Sequence, residues 1–250
     1  MSFKDHFSRL AAQYSAFRPT YPASLFDYLA QSCRERRIVW DCACGSGQAS
    51  VALAERFDSV IATDASAQQV SAAIPHANIT YRTAPADNSG LESQSVDLVT
   101  VAQALHWFDL QAFYSEVQRV LKPSGLLAVW TYGVLHVEGT AADALVQEFY
   151  HDIVGPYWPP ERRFVEEGYR GFEFPFEELL SPSFNMQESW GRDHLLGYLR
   201  TWSATARYVE DRGSDPVSEL EGRLASVWSD AATPRTVTWP LAVRIGRKHG

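Results

Sequence analysis

The spacing of apolar residues changes along the chain, and each change marks an element. Between Phe3 and Arg18 the residues Phe3, Phe7, Leu10, Ala11, Tyr14 and Phe17 recur in steps that suit one face of a helix. Pro19 and Pro22 end that helix, and a second is predicted from Ala23 through Leu25, Leu29 and Cys33 to the basic stop at Arg34 to Arg37. Short apolar runs follow. Ile38 to Trp40, Ser59 to Thr63, Ile79 to Thr83, Val96 to Ala102 and Leu126 to Thr131 read as five buried strands. Helical patterns lie between them at Ala49 to Arg56, at Ser66 to Ala73, and from Leu110 to Leu121 behind the capping residue Asp109. Pro123 to Gly125 supply the turn into the fifth strand.

Alternation of this kind predicts an α/β fold with a mostly parallel sheet, right-handed crossovers and a ligand crevice at the carboxyl edge of the strands. Beyond Val134 the pattern loosens. A helix over Ala141 to Ile153 leads into a segment rich in Pro, Arg and aromatic residues that reaches about Glu178. A strand over Phe184 to Trp190, helices over His194 to Ala206 and Val217 to Ser229, and a last strand over Thr236 to Ile245 complete the chain. Pro240 argues that this last strand is an edge or carries a bulge. The organisation expected is one domain over 1–250, with N-terminal helices over 1–37, a ligand-binding core over 38–133, and a cap made of 134–180 and 190–230.

A length of 250 residues supports one large α/β domain with an insertion. The net charge of -8, without a lysine and arginine block, argues against a nucleic-acid partner. The opening MSFKDHFSRL lacks a signal-peptide core, and no apolar run reaches the roughly 18 residues a membrane span needs, so a cytoplasmic protein without membrane contact is expected. Cys33, Cys42 and Cys44 are odd in number, and the last two stand too close together for an unstrained disulfide, so free thiols are expected. The seven histidines are scattered without ligand-like pairing, and no metal site is expected.

The chemistry concentrates in IVWDCACGSGQAS, Ile38 to Ser50. A strand ends at Asp41, Gly45 and Gly47 allow positive φ and a close backbone approach, and a helix begins near Gln48. A dinucleotide site wants a third glycine or alanine where this chain has Ser50, and Asp41 would repel a pyrophosphate. Asp41 suits a cationic ligand instead, and Asp64, at the end of the second strand, suits a ribose diol. S-adenosylmethionine carries both features.

The ordered set DCACGSG from Asp41, then Asp64, APAD from Ala84, QALHWFD from Gln103 and RVLKPSG from Arg119 resembles the class I S-adenosylmethionine-dependent methyltransferases. The leader YSAFRPTYP from Tyr14, the QALHWFD segment and TWSA from Thr201 are similar to the trans-aconitate methyltransferase-like subgroup. The resemblance runs from Phe7 to Arg247 and departs at Ala43, where the family often has glycine. It implies a Rossmann-like seven-stranded sheet with helices on both faces, the last strand antiparallel, and a helical cap insertion.

By the same resemblance, Tyr14, Arg18, Asp41, Ala43, Gly45, Gly47, Asp64, Ala65, Ala86, Asp87 and Gln103 would hold S-adenosyl-L-methionine and its product S-adenosyl-L-homocysteine, with the N-terminal helices folding over them. His106 is the candidate base. Tyr21, His106, Trp107, Trp130, Tyr132 and Trp202 are the candidate substrate residues. The expected acceptor is a small molecule with an oxygen nucleophile such as a carboxylate, for which arginines of the cap would serve as a clamp. A monomer or homodimer is expected. Two other readings stay open on the residues alone: a nicotinamide-dependent oxidoreductase, and a non-catalytic S-adenosylmethionine-binding module.

Overall fold

The computed structural model describes residues 17–249. The predicted N-terminal helix, with Tyr14, therefore lies outside the described residues apart from its last positions. The remaining chain divides into two compact units. Among the described residues, one comprises 21–132, 164–184 and 241–249; the other comprises 17–20, 133–163 and 185–240.

The first of these is built on a seven-stranded sheet. Its strands are β1 (Ile38–Cys42), β2 (Ser59–Asp64), β3 (Ile79–Thr83), β4 (Val96–Ala102), β5 (Leu121–Tyr132), β7 (Glu177–Leu179) and the second half of β9 (Arg235–Arg247). They lie in the order β3-β2-β1-β4-β5-β9-β7; the pairs among β1 to β5 are all parallel, and β9 runs antiparallel to both β5 and β7. Helices α1 (Ala23–Ser32), α2 (Gln48–Ala54), α3 (Ala67–Ser71) and α4 (Leu110–Val120) accompany these strands. Two apolar clusters follow from the period-two alternation of the strands. Leu98, Ala128 and Trp130 pack with Leu25, Leu29 and Leu53, whereas Val99, Val101, Leu127 and Val129 pack with Phe113, Val117, Tyr169 and Phe176. The expected mostly parallel, Rossmann-like architecture with an antiparallel last strand is present.

Four details differ from the sequence reading. The turn Lys122 to Gly125 lies within β5, where pairing jumps from Val96↔Leu121 to Leu98↔Leu126. The seventh position of the sheet belongs to β7, a three-residue strand with two exposed glutamates and therefore no apolar alternation to detect. The run 184–190 does form a strand, β8 (Asn185–Trp190), but it pairs with the other half of β9, over Arg235 to Pro240. Pro240 does not make β9 an edge strand. It marks the point where the strand changes partners, from β8 to β5, so its missing N–H interrupts neither ladder.

The second unit holds β6 (His136–Val137), β8, the first half of β9, and helices α5 (Thr140–Glu148), α7 (Arg192–Arg200), α8 (Ser203–Arg212) and α9 (Pro216–Val227). Helix α6 (Arg162–Glu166) straddles the division of the chain. The helix expected to end at Ile153 finishes with a π turn over Phe149–Ile153. The helix expected over 194–206 is two helices, because Trp202 adopts an extended conformation (φ -70°, ψ 137°) between α7 and α8. Its ring lies in a cluster with Phe149, Tyr150, Trp158 and Tyr198, a placement that interrupts the helix. No described helix is long and apolar enough to cross a membrane.

Candidate active site

Asp41 stands in β1 with Ala62 of β2 and Thr100 of β4 as its register partners. Its carboxylate is fully buried and accepts two hydroxyl hydrogen bonds, from Ser50 Oγ at 2.5 Å and Thr100 Oγ1 at 2.8 Å. Burial pushes its pKa up to about 6, the two hydroxyls pull it down, and the negative charge of Asp64 adds to the rise. Asp41 therefore offers a ligand no exposed surface. Ser50, which departs from the dinucleotide pattern, has its physical reason in this bond.

Beyond β1 the backbone takes three left-handed positions in five residues: Ala43 (φ 56°), Gly45 (55°) and Gly47 (89°). The Cys44 N–H donates to the Thr63 carbonyl at 3.0 Å, and the Gly47 N–H closes the turn on the Cys44 carbonyl at 2.9 Å. The two glycines are required for different reasons. A β-carbon at Gly47 would collide with the Tyr81 ring, whose hydroxyl donates to the Ile74 carbonyl. Among the described residues, one at Gly45 would meet nothing nearer than Gln69 Oε1 at 3.9 Å, so those residues leave the space above Gly45 open.

Asp64 faces this turn. Its Oδ2 accepts from the Gly45 N–H at 2.9 Å and its Oδ1 from the Ser66 N–H at 2.8 Å, while the carboxylate stays slightly exposed. Each oxygen keeps a second lone pair, which a diol can use. An open left-handed turn with one acid at its rim and another buried beneath it suits a ligand that joins a cation to a ribose. The residues fit S-adenosylmethionine.

Around this centre Ala65 and Asp87 are exposed, and Ala86 is half-buried against the α4 face of the core. Gln103, at the end of β4, is a further left-handed residue (φ 57°). Its side chain is tied to β5, accepting from Thr131 Oγ1 at 2.5 Å and donating to the Tyr132 carbonyl at 3.3 Å. His106 and Trp107 lie in a short 3-10 turn after it; His106 is half-buried and Trp107 is 47% exposed. Tyr21 packs on Trp130 and Tyr132, with ring centroids 5.6 and 6.2 Å away. Trp130 itself is fully buried in the cluster with Phe26, a packing position.

Arg18 and Trp202 belong to the second unit, where the Arg18 guanidinium lies 5.6 Å from the Tyr198 ring centre and Trp202 is buried among aromatic rings. Tyr14 is outside the described residues. Three residues that contact the predicted site residues are absent from the expected site set. Thr100 was recoverable from strand register, and Ser50 from its place on the first turn of α2. Tyr169, whose hydroxyl stands 2.9 Å from His106 Nδ1, sits in an aperiodic segment and carries no local signal.

The core, residues 40–129, matches the methyltransferase domain family. A methyltransferase-family protein of Dictyostelium discoideum is 34% identical over 229 residues, covering 90% of this chain and 87% of its own. The chain belongs to the class I S-adenosylmethionine-dependent methyltransferases. A Saccharomyces cerevisiae protein named as an S-adenosylmethionine-dependent methyltransferase is 31% identical and covers 96% of both chains. A solved type II methyltransferase structure from Anaeromyxobacter dehalogenans superposes with a TM-score of 0.88 at 44% identity, covering 93% of this chain and 98% of that one. S-adenosylmethionine is the cofactor of this methyltransferase, and the nicotinamide alternative falls away.

Proposed function

We propose that this methyltransferase acts on an oxygen nucleophile of a small molecule, with its cofactor cradled on the turn from Ala43 to Gly47. The observation that carries the cofactor site is the 2.9 Å bond from the Gly45 N–H to Asp64, which holds a carboxylate at the open side of the turn. In this reading Asp64 and Ala65 border the ribose, Ala86 and Asp87 the adenine, and Gln103 the methionine moiety. Asp41 contributes negative potential from beneath. Tyr14 and Arg18 enter by resemblance alone, with Arg18 toward the methionine carboxylate.

When bound, the cofactor supplies a sulfonium-activated methyl group. The protein's part is to align the acceptor and exclude water, and such positioning contributes about 7 to 11 kcal/mol. The subgroup resemblance implies a carboxylate acceptor. A second reading, a hydroxyl acceptor, is favoured by His106 and its Tyr169 partner at the carboxyl edge of β4.

Calorimetry with S-adenosylhomocysteine tests the cofactor site, and absence of binding by folded protein would sink it. Transfer of a radiolabelled methyl group across paired small carboxylates and phenols tests the acceptor.

A further inference from the structure

The loop proposed to border the adenine, Ala84 to Leu91, is fastened at both ends. At its start the Ala84 N–H donates to the Asp64 carbonyl at 3.0 Å, so the loop leaves from the residue whose carboxylate holds the Gly45 and Ser66 N–H groups. At its far end Ser89 and Leu91 are buried, whereas Pro85, Asp87, Asn88 and Gly90 are exposed. The Ser89 N–H and hydroxyl both donate to one oxygen of Glu116, Oε1, at 2.8 and 2.5 Å, and the Leu91 N–H donates to Ser89 Oγ at 3.2 Å. Between the two ends the Asn88 N–H closes a turn on the Pro85 carbonyl at 3.4 Å, with Ala86 and Asp87 as its two central residues. A bond that long fixes the turn weakly, so the place of its tip depends on the two anchors.

Glu116 lies on the buried face of α4 together with Phe113, Val117 and Val120. Arg119, one turn later, holds both its oxygens, with Nε 2.8 Å from Oε2 and Nη2 2.7 Å from Oε1, and its Nη1 reaches Ser93 Oγ at 3.3 Å. Burial alone would raise the Glu116 pKa, but the bonds from Arg119 and Ser89 hold the carboxyl below its ordinary value. It is therefore an ionised group that only accepts at neutral pH. A buried ion pair is a weak source of stability, because lost hydration offsets most of the attraction, and an apolar side chain fills a core-facing helix position as well. What the carboxylate supplies here is a fixed point for the two Ser89 donors.

We infer that Glu116 is a positioning residue for the adenine of the cofactor: through Ser89 it sets where Ala86 and Asp87 stand, and so how much of the binding the base supplies. The inference rests on the cofactor placement proposed above and adds to it a residue that acts through the loop. Arg119 in turn holds Glu116.

The test is calorimetry on the full chain with two probes that differ by the base: S-adenosylhomocysteine, and S-ribosylhomocysteine, which lacks the adenine. The ratio of their affinities reads what adenine contributes. Glu116→Ala should weaken S-adenosylhomocysteine binding about tenfold and leave S-ribosylhomocysteine within about twofold, so the ratio contracts. Ser89→Ala removes one donor and keeps the backbone bond; it should contract the ratio by a smaller factor, and it carries the comparison if Glu116→Ala does not fold. Glu116→Gln keeps an acceptor oxygen for Ser89 and should restore most of the ratio. An equal loss for both probes would mean that Glu116 serves stability alone and overturns the inference, as does an unchanged ratio in the folded variants. Asp87→Ala tells the two readings apart. A ratio that contracts in Asp87→Ala but not in the Glu116 and Ser89 variants strikes the positioning role alone. A ratio untouched by all of them puts the adenine elsewhere, and a wild type that binds neither probe strikes the cofactor site; either takes the inference with it.

Discussion

Ser50 Oγ donates to Asp41 Oδ2 across 2.5 Å, joining the first turn of α2 to the strand that precedes the glycine turn. This bond and the one from Thr100 hold a buried carboxylate whose pKa is nevertheless raised from 3.8 to about 6 by burial. The sign of the consequence is fixed by linkage. The folded state binds the Asp41 proton more tightly than the unfolded chain, so its contribution to stability is complete below pH 3.8 and is lost as pH rises toward about 6. The loss amounts to about 3 kcal/mol. Asp41→Asn has no such titration. The stability difference between wild type and Asp41→Asn, from denaturant melts at each pH, should therefore shift toward the variant between pH 4 and 7. A pH-independent difference would count against the raised pKa.

Asp64 joins structure and binding in one carboxylate. Its bonds to the Gly45 and Ser66 N–H groups hold the turn, and its remaining lone pairs face the proposed ribose position. Removal of a charge-assisted hydrogen bond costs about 1.5 to 3 kcal/mol. Asp64→Ala should therefore weaken S-adenosylhomocysteine binding roughly tenfold to a hundredfold by calorimetry. Unchanged affinity would remove Asp64 from the ribose.

The range of each interaction explains what was legible in the sequence. The Asp109 cap, the strands over 79–83 and 96–102, and the positive φ at Gly45 and Gly47 depend on neighbours in the chain, and all are as expected. Thr100 reaches Asp41 only through the β1–β4 register, 59 residues away, and Tyr169 reaches His106 across 63. No periodicity encodes such pairs. Trp202 shows the converse: its local pattern continues a helix, and burial of the ring overrides it.

The open space above Gly45 and the crowded space above Gly47 separate binding from folding. Alanine at Gly47 would carry both left-handed strain and the collision with Tyr81. Alanine at Gly45 would meet no close contact among the described residues and would carry the strain, about 1 to 2 kcal/mol. Gly47→Ala should therefore lower Tm more than Gly45→Ala, and Tyr81→Ala should recover part of the Gly47→Ala loss. Gly45→Ala, still folded, should lose most of its S-adenosylhomocysteine affinity, because its β-carbon points into the space proposed for the cofactor. Equal effects of the two variants on Tm and affinity would contradict the distinction.

Ala43 gives the opposite test. It has φ 56° with a β-carbon present, and its methyl packs half-buried against the α4 face of the core. Glycine there relieves about 1 to 2 kcal/mol of left-handed strain. It adds about 0.5 to 1 kcal/mol of backbone entropy to be lost on folding, and gives up part of the ~0.8 kcal/mol of one buried methyl group. The terms nearly cancel, so Ala43→Gly should leave stability within about 0.5 kcal/mol of wild type. Ala49→Gly is the control. Ala49 is a buried residue of α2 with ordinary helical geometry, so glycine there has no strain to relieve and should cost at least about 1 kcal/mol. Chemical denaturation of the two variants side by side decides the matter: equal losses would mean that the left-handed backbone at Ala43 carries no strain.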